Sequence, residues 1–218
     1  MNEGELRAEI ARVGQSLFQR GYVHATAGNI SARLADGFLI TPTDACLGFL
    51  EPAALAKVGA DGRQVSGERA SKTLTLHRSI YDADADARCV IHTHSTPLVA
   101  LSLKGVWRPD AILPPITPYF VMKVGRVPLI PYHRPGAAEV GALVAAAIAE
   151  HRSRGHTLRA VMLDRIGPNV WHSTPAAAMA TLEELEETAK LWLSCGDTAS
   201  SLSDAQIDAL REAFGACW

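Results

Sequence analysis

The apolar positions of the chain change period repeatedly, and each change marks a boundary between helix and strand. Over residues 5–20, Leu6, Ile10, Val13, Leu17 and Phe18 recur at helical spacing, and Gly21 supplies a C-terminal stop. Residues 29–34 and 38–41 read as strands flanking Asp36-Gly37, a strong hairpin signal. A short helix is expected over 51–58, then a turn at Asp61-Gly62, then a helix capped by Ser71 and running to about Tyr81. Val90 and Ile91 form an apolar β-branched run leading into His92, followed by a short helix over 97–103. The Pro-rich stretch 112–132 is β-leaning, with strands broken at Gly125-Arg126. An Ala-rich helix over 137–154 ends at Gly155, and strands are expected at 159–163 and 169–171, around Gly167-Pro168. Helices over 176–195 and 203–214 complete the pattern.

This order fits helices on both sides of a mixed or antiparallel-rich sheet, an α/β fold. With 218 residues, 48% of them hydrophobic, and no repeat or linker, one domain spanning 1–218 is the simplest organisation. A net charge of −2 leaves no electrostatic footprint for nucleic acid or an anionic membrane. No stretch approaches the roughly 20 apolar residues of a membrane span, and the acidic start lacks the pattern of a signal peptide. Cys46, Cys89, Cys195 and Cys217 are scattered, without a Cys-x-x-Cys pair, and read as thiols of a reducing compartment. A soluble cytoplasmic protein is expected.

The candidate chemistry centres on His92 and His94. Residues two apart on a strand share a face, so two imidazoles would project side by side, as neighbouring ligands of a divalent metal must. Hydrogen-bonded structural histidines would show the same spacing. Thr26-Ala-Gly-Asn29, Thr41-Pro-Thr43 and Ser71-Lys72 combine turn-forming residues with hydroxyl, amide or ammonium donors. Gly28 permits close backbone approach, and a helix start near Ser71-Lys72 would attract anions. Together these segments suit a phosphate or carboxylate; separately they are ordinary turns and caps. Asp82-Ala-Asp-Ala-Asp86 lacks the Gly and Glu of a calcium loop and reads as a solvated turn. Glu183, Glu184, Glu186 and Glu187 read as a solvated helix face, His77 as a packing histidine, and His151 and His156 as surface residues. Trp107, Trp171, Trp192 and Trp218 read as packing or subunit-contact groups.

The order Thr26-Ala-Gly-Asn-Ile-Ser31, Leu39-Ile-Thr-Pro-Thr43, Ser71-Lys72, His92-Thr-His94 and Glu183-Glu-Leu-Glu-Glu-Thr-Ala-Lys190 resembles the class II aldolase/adducin family over about residues 5–215. Pro118-Tyr-Phe-Val-Met122 and Val127-Pro-Leu-Ile-Pro-Tyr132 with Arg134-Pro-Gly136 bring it nearest the 3-oxo-tetronate 4-phosphate decarboxylase group. The resemblance implies a three-layer α/β/α domain with a central mixed, largely antiparallel sheet, usually in a homotetramer with sites between subunits. It implies zinc, or another divalent metal, on His92 and His94, and a small anionic substrate held by Thr26, Gly28, Asn29, Thr43, Ser71 and Lys72. It gives Lys72 and Tyr119 catalytic roles, Tyr119 as a proton donor near an inter-subunit cleft. The reaction implied is lyase chemistry: loss of carbon dioxide from a phosphorylated 3-keto acid, or retro-aldol cleavage. Two positions depart from the family. Thr73 stands where relatives place a glutamate acid/base, and Ile166 where they carry a third histidine. His133, where the decarboxylase group commonly has a second tyrosine, is one candidate replacement ligand, with His172 and His24 as others. Three readings follow: a lyase with an altered ligand set, a relative recruited to another reaction with little or no metal, and a scaffold without catalysis.

Overall fold

A computed structural model describes residues 1–218 apart from the side chain of Asp197. The chain runs α1 (Glu3–Gln19), β1 (Asn29–Arg33), β2 (Gly37–Ile40), β3 (Ala56–Gly59), β4 (Gln64–Ser66), α2 (Leu74–Ala83) and β5 (Cys89–His92). It continues through α3 (Thr96–Lys104), α4 (Pro118–Lys123), β6 (Leu129–Ile130), α5 (Glu139–Ser153), β7 (Ala160–Leu163), β8 (Gly167–His172), α6 (Pro175–Cys195) and α7 (Asp204–Phe214). The strands form one sheet in the order β4-β3-β2-β1-β5-β8-β7-β6. Every pairing is antiparallel except β6 with β7.

Alternation along each strand sorts side chains between two buried layers. Ile30, Leu39, Ile91, Met162 and Val170 pack with residues of α1, α3, α4, α6 and α7. Phe38, Ile40, Val90, Val161 and Trp171 point the other way, toward α2 and α5. The architecture is therefore α/β/α. At one end of the α2/α5 side the row turns polar. Asn29 lies opposite His92, and His92 opposite Asn169, so the three neighbouring side chains share that face.

Several elements differ from the sequence reading. Residues 51–58 are not a helix: a 3-10 turn at Pro52–Ala54 gives way to β3, where Ala56 and Val58 are buried and alternate with Lys57 and Gly59. The period of two and pairing with β2 override the local helix preference. Stretch 112–132 contains a helix, α4, because the Thr117 side chain accepts from the Phe120 N–H and Pro118 suits the first helical position. Its only strand is Leu129–Ile130. α2 begins at Leu74, after Ser71 rather than on it.

Three groups expected at the surface are buried. Asp84 accepts a hydrogen bond from Trp171 Nε1 at 2.9 Å, with Arg152 3.8 Å and Arg159 4.0 Å away. His151 packs beside His156, their ring centroids 6.0 Å apart. Glu186 is fully buried and bonded to the Ser95 hydroxyl. Trp171 and Trp218 pack in the interior, and no helix of the described residues is long and apolar enough to cross a membrane.

Candidate functional site

A cavity of about 750 Å³ opens where the ends of β1 and β5 meet the start of α2, the loop after β6 and the β7–β8 turn. Thr26, Gly28, Asn29 and Thr43 line one side, and Ser71, Lys72 and Thr73 another. His92 and His94 sit at its base and His133 on the loop after β6. The sequence-predicted residues thus meet in one place, with the exceptions of Tyr119, His172 and His24, which do not line this cavity.

Backbone close packing brings the walls together. Gly28 has φ +86°, and a Cβ there would stand 2.8 Å from Val23 Cγ1 and 2.9 Å from the His92 carbonyl oxygen. Gly167, with φ +143°, passes so near β5 that a Cβ would lie 1.9 Å from the Thr93 carbonyl oxygen and 3.3 Å from His94 Cα. Only glycine allows either approach.

β5 ends at His92, so His94 lies just beyond the strand, yet the rings converge: Nε2 to Nε2 is 3.0 Å. His92 Nδ1 is 2.8 Å from the Pro168 carbonyl, which can only accept, so Nδ1 carries the proton and Nε2 the lone pair. The contact is then His94 Nε2–H donating to His92 Nε2. Burial, chiefly, and the neighbouring His94 push His92 down to about 4. Burial also lowers His94, with a smaller contribution from His24. Both rings are neutral near pH 7, the form that ligates metals.

With the His94 proton moved to Nδ1, the two convergent Nε2 atoms, one of them oriented by a backbone carbonyl, fit two positions of a divalent ion. Among the described residues no third His, Cys, Asp or Glu joins them in a cluster able to hold one. Ile166 faces the cavity and offers no donor. His133 also bonds a carbonyl, that of Pro131, through Nδ1 at 2.8 Å, which leaves its Nε2 free. His172 pairs with Cys89 at the far end of β5 from His92 and lines a separate groove with Tyr119, Arg159 and Glu184. It cannot reach the pair. Tyr119 is 60% exposed on α4, so a single chain does not bring its hydroxyl to the histidines.

The anion-binding wall is partly committed to itself. Thr43 Oγ1 donates to the Ala70 carbonyl at 3.0 Å, so its hydroxyl offers a bound anion no proton in this arrangement. Asn29 Nδ2 donates to Thr73 Oγ1 at 3.3 Å, and Thr73 Oγ1 lies 3.1 Å from Ser71 Oγ. Lys72 is exposed and makes no ion pair among the described residues, leaving its ammonium available. Sequence reasoning missed Arg134 and Asp164, which line the same cavity. Arg134 lay inside a quoted motif, whereas Asp164 carried no signal beyond standing next to the altered turn.

The chain matches the Class II Aldolase and Adducin N-terminal domain over residues 8–193. It is 58% identical over 221 residues to a 3-oxo-tetronate 4-phosphate decarboxylase of Cupriavidus necator, covering 99% of each chain. It is 41% identical over 196 residues to the protein of the same name in Escherichia coli, covering 89% of each. Among solved structures, YgbL of Klebsiella pneumoniae superposes with a TM-score of 0.88 at 38% identity, covering 97% of this chain and 100% of that one.

Proposed function

Because the chain belongs to the class II aldolase/adducin family, we propose that it is a carbon–carbon lyase that decarboxylates a 3-oxo-tetronate 4-phosphate. The observation that carries this reading is that one cavity gathers a convergent pair of neutral imidazoles and a free ammonium wall. Relatives named for this reaction align with essentially the whole chain.

The roles follow from the chemistry of each group. Lys72, with the donors of the Thr26–Asn29 loop and Ser71, holds the phosphate, which fixes the scissile bond over the histidine pair and reduces the entropic cost of reaching a reactive geometry. His92 and His94, with the free Nε2 of His133 as third donor, would hold a divalent metal, zinc by the nitrogen character of the set, and such an ion would supply positive charge beside the 3-keto oxygen. The Pro168 carbonyl keeps the His92 lone pair aimed into the cavity. Tyr119 lines a separate groove of its own chain, so in a homotetramer its hydroxyl would serve the cavity of a neighbouring copy by hydrogen bonding to bound substrate. Four free cysteines suit the reducing cytoplasm.

Thr73 and Ile166 both line the cavity, and this favours a second reading: a lyase that has shifted to another acid with little or no metal. One assay separates them. The purified protein, with and without added zinc, is given 3-oxo-tetronate 4-phosphate, and released carbon dioxide and bound zinc are measured. Zinc-stimulated release of one carbon dioxide per three-carbon ketose phosphate supports the first reading. Bound zinc near zero, with no stimulation, supports the second, and no release at all refutes the decarboxylase.

A further inference from the structure

Loss of carbon dioxide leaves a carbon that must be protonated, and the position at which the family resemblance implies an acid/base glutamate is Thr73. An alcohol holds its proton too tightly for this work, and the His92 N–H is committed to Pro168. Two carboxylates line the cavity, Asp44 and Asp164. Asp44 is exposed beside the phosphate wall, where it follows Thr43. Asp164 stands on the β7–β8 turn, the turn that carries Ile166 and leads into Pro168, the partner of His92.

That turn is held on several sides. The Asp164 N–H donates to the Ile130 carbonyl at 3.0 Å, and the Ile166 N–H to Leu163 at 3.1 Å. Arg165 adopts φ +62° and its N–H donates to Ser102 Oγ at 3.0 Å. Gly167 brings the hairpin against His94. The carboxylate itself is lightly engaged. Its charged neighbour is Arg165 Nε at 3.9 Å, beyond hydrogen-bond distance, and its side chain is 21% exposed. A pinned backbone holding a carboxylate at the cavity wall, engaged only by a long ion pair to Arg165, is the arrangement that proton transfer needs.

We propose that Asp164 is the proton donor of this cavity, doing from the β7–β8 turn what a threonine at position 73 cannot do from the start of α2. The proposal rests on the decarboxylase reading. The bond to the carboxyl carbon breaks, carbon dioxide leaves, and the bonding pair passes into the neighbouring carbonyl to give an enediolate. That carbon then takes the proton of the Asp164 carboxyl group, restoring the ketone. The carboxylate formed regains a proton from water.

The test compares wild type, Asp164→Asn and Asp164→Glu for kcat, KM, bound zinc and the fate of the phosphate. An enediolate left waiting for a proton expels its neighbouring phosphate. Asp164→Asn is therefore expected to lower kcat about a hundredfold, in the range of general acid catalysis, with KM and zinc within about twofold of wild type as a working criterion for unaltered binding. Inorganic phosphate should rise as a share of product. Asp164→Glu keeps a carboxyl group and should retain most of the activity. A kcat for Asp164→Asn within twofold of wild type, or a Glu variant no better than the Asn variant, overturns the inference and leaves the decarboxylase intact. A loss of zinc in Asp164→Asn overturns it too, making the residue a ligand. Wild-type protein that releases no carbon dioxide overturns the underlying reading and the inference with it.

Discussion

Glu186 offers a sharp test of how the histidine segment is anchored. It projects from α6 into the layer beneath β5, fully buried, where Ser95 Oγ donates to Oε1 while Oε2 has no partner among the described residues. Burial is the main cause that raises its carboxyl from 4.5 to about 7; Ser95 and Lys190 oppose the shift and Glu187 adds to it. In the unfolded chain the group ionises near 4.5, so between pH 4.5 and 7 the folded state holds more protons. Stability must then fall as pH rises through that window. At 1.36 kcal/mol per unit the accumulated loss is about 3 kcal/mol, complete above pH 7. Glu186→Gln keeps an acceptor for Ser95 and cannot ionise, but it buries an amide donor with no acceptor, at a cost of about 1–3 kcal/mol. The variant is therefore expected to be the less stable protein at pH 4.5 and to gain about 3 kcal/mol on wild type by pH 8. Urea unfolding followed by tryptophan fluorescence measures this at several pH values, at one fixed protein concentration. Titrations of other groups cancel in the difference. A gap between variant and wild type that stays constant from pH 4.5 to 8 would refute the buried acid.

Three further outcomes follow from the cavity. His92→Ala removes the nitrogen oriented by Pro168 and is expected to abolish zinc-dependent activity and bound zinc together; unchanged metal content by elemental analysis contradicts the ligand role. Lys72→Ala should raise KM roughly ten- to a hundredfold with kcat little altered, as loss of a charged hydrogen bond worth about 1.5–3 kcal/mol implies, and an unchanged KM would remove the residue from anion binding. Gly28→Ala forces a Cβ into Val23 and the His92 carbonyl from a left-handed backbone. It should cost about 2–4 kcal/mol and lower the melting temperature by roughly 5–10 °C, and a shift below about 2 °C in thermal denaturation would mean that the loop yields.

The parts of the molecule legible in the sequence are those where a single period dominates. The hairpin at Asp36-Gly37 and the convergence of His92 with His94 follow from turn chemistry and a repeat of two, although His94 lies past the strand end. Residues 56–58 failed because the local helix preference of Ala-rich sequence competed with an alternation only four residues long. Glu186 was hidden differently: four glutamates in a row of five suggest solvent, yet the buried stripe Ala178, Leu182, Leu185 and Ala189 has room for 186 at spacings of three and four. Asp164 had no local signal, since its meaning depends on Gly167 bringing a hairpin against His94 from more than seventy residues away.

The placement of charge argues for one orientation of substrate. The sheet face toward α2 and α5 is apolar along Phe38, Ile40, Val90, Val161 and Trp171 and turns polar toward the cavity at Asn29, Ser31, His92 and Asn169, with Arg33 at the other end of β1 stacked on Tyr81. Both side-chain polar atoms of Asn169, together with Asn29 Oδ1 and His77 Nε2, are buried there without partners among the described residues. Each such group costs about 1–3 kcal/mol, a burden that packing alone would not retain. None of these groups is charged near pH 7, because burial pushes His77 down to about 3 and His92 to about 4. The cations, Lys72 and Arg134, stand exposed at the mouth. Under the proposed decarboxylase reading, a neutral, hydrogen-bonding floor under a cationic rim favours a dianionic phosphate facing outward, where desolvation is cheapest, with the uncharged keto group turned inward toward the imidazoles. Reversing that orientation would bury the phosphate against a floor with no cation to meet it, and the Coulombic penalty grows as the dielectric falls. That orientation would place the scissile bond between the histidine pair and the turn bearing Asp164.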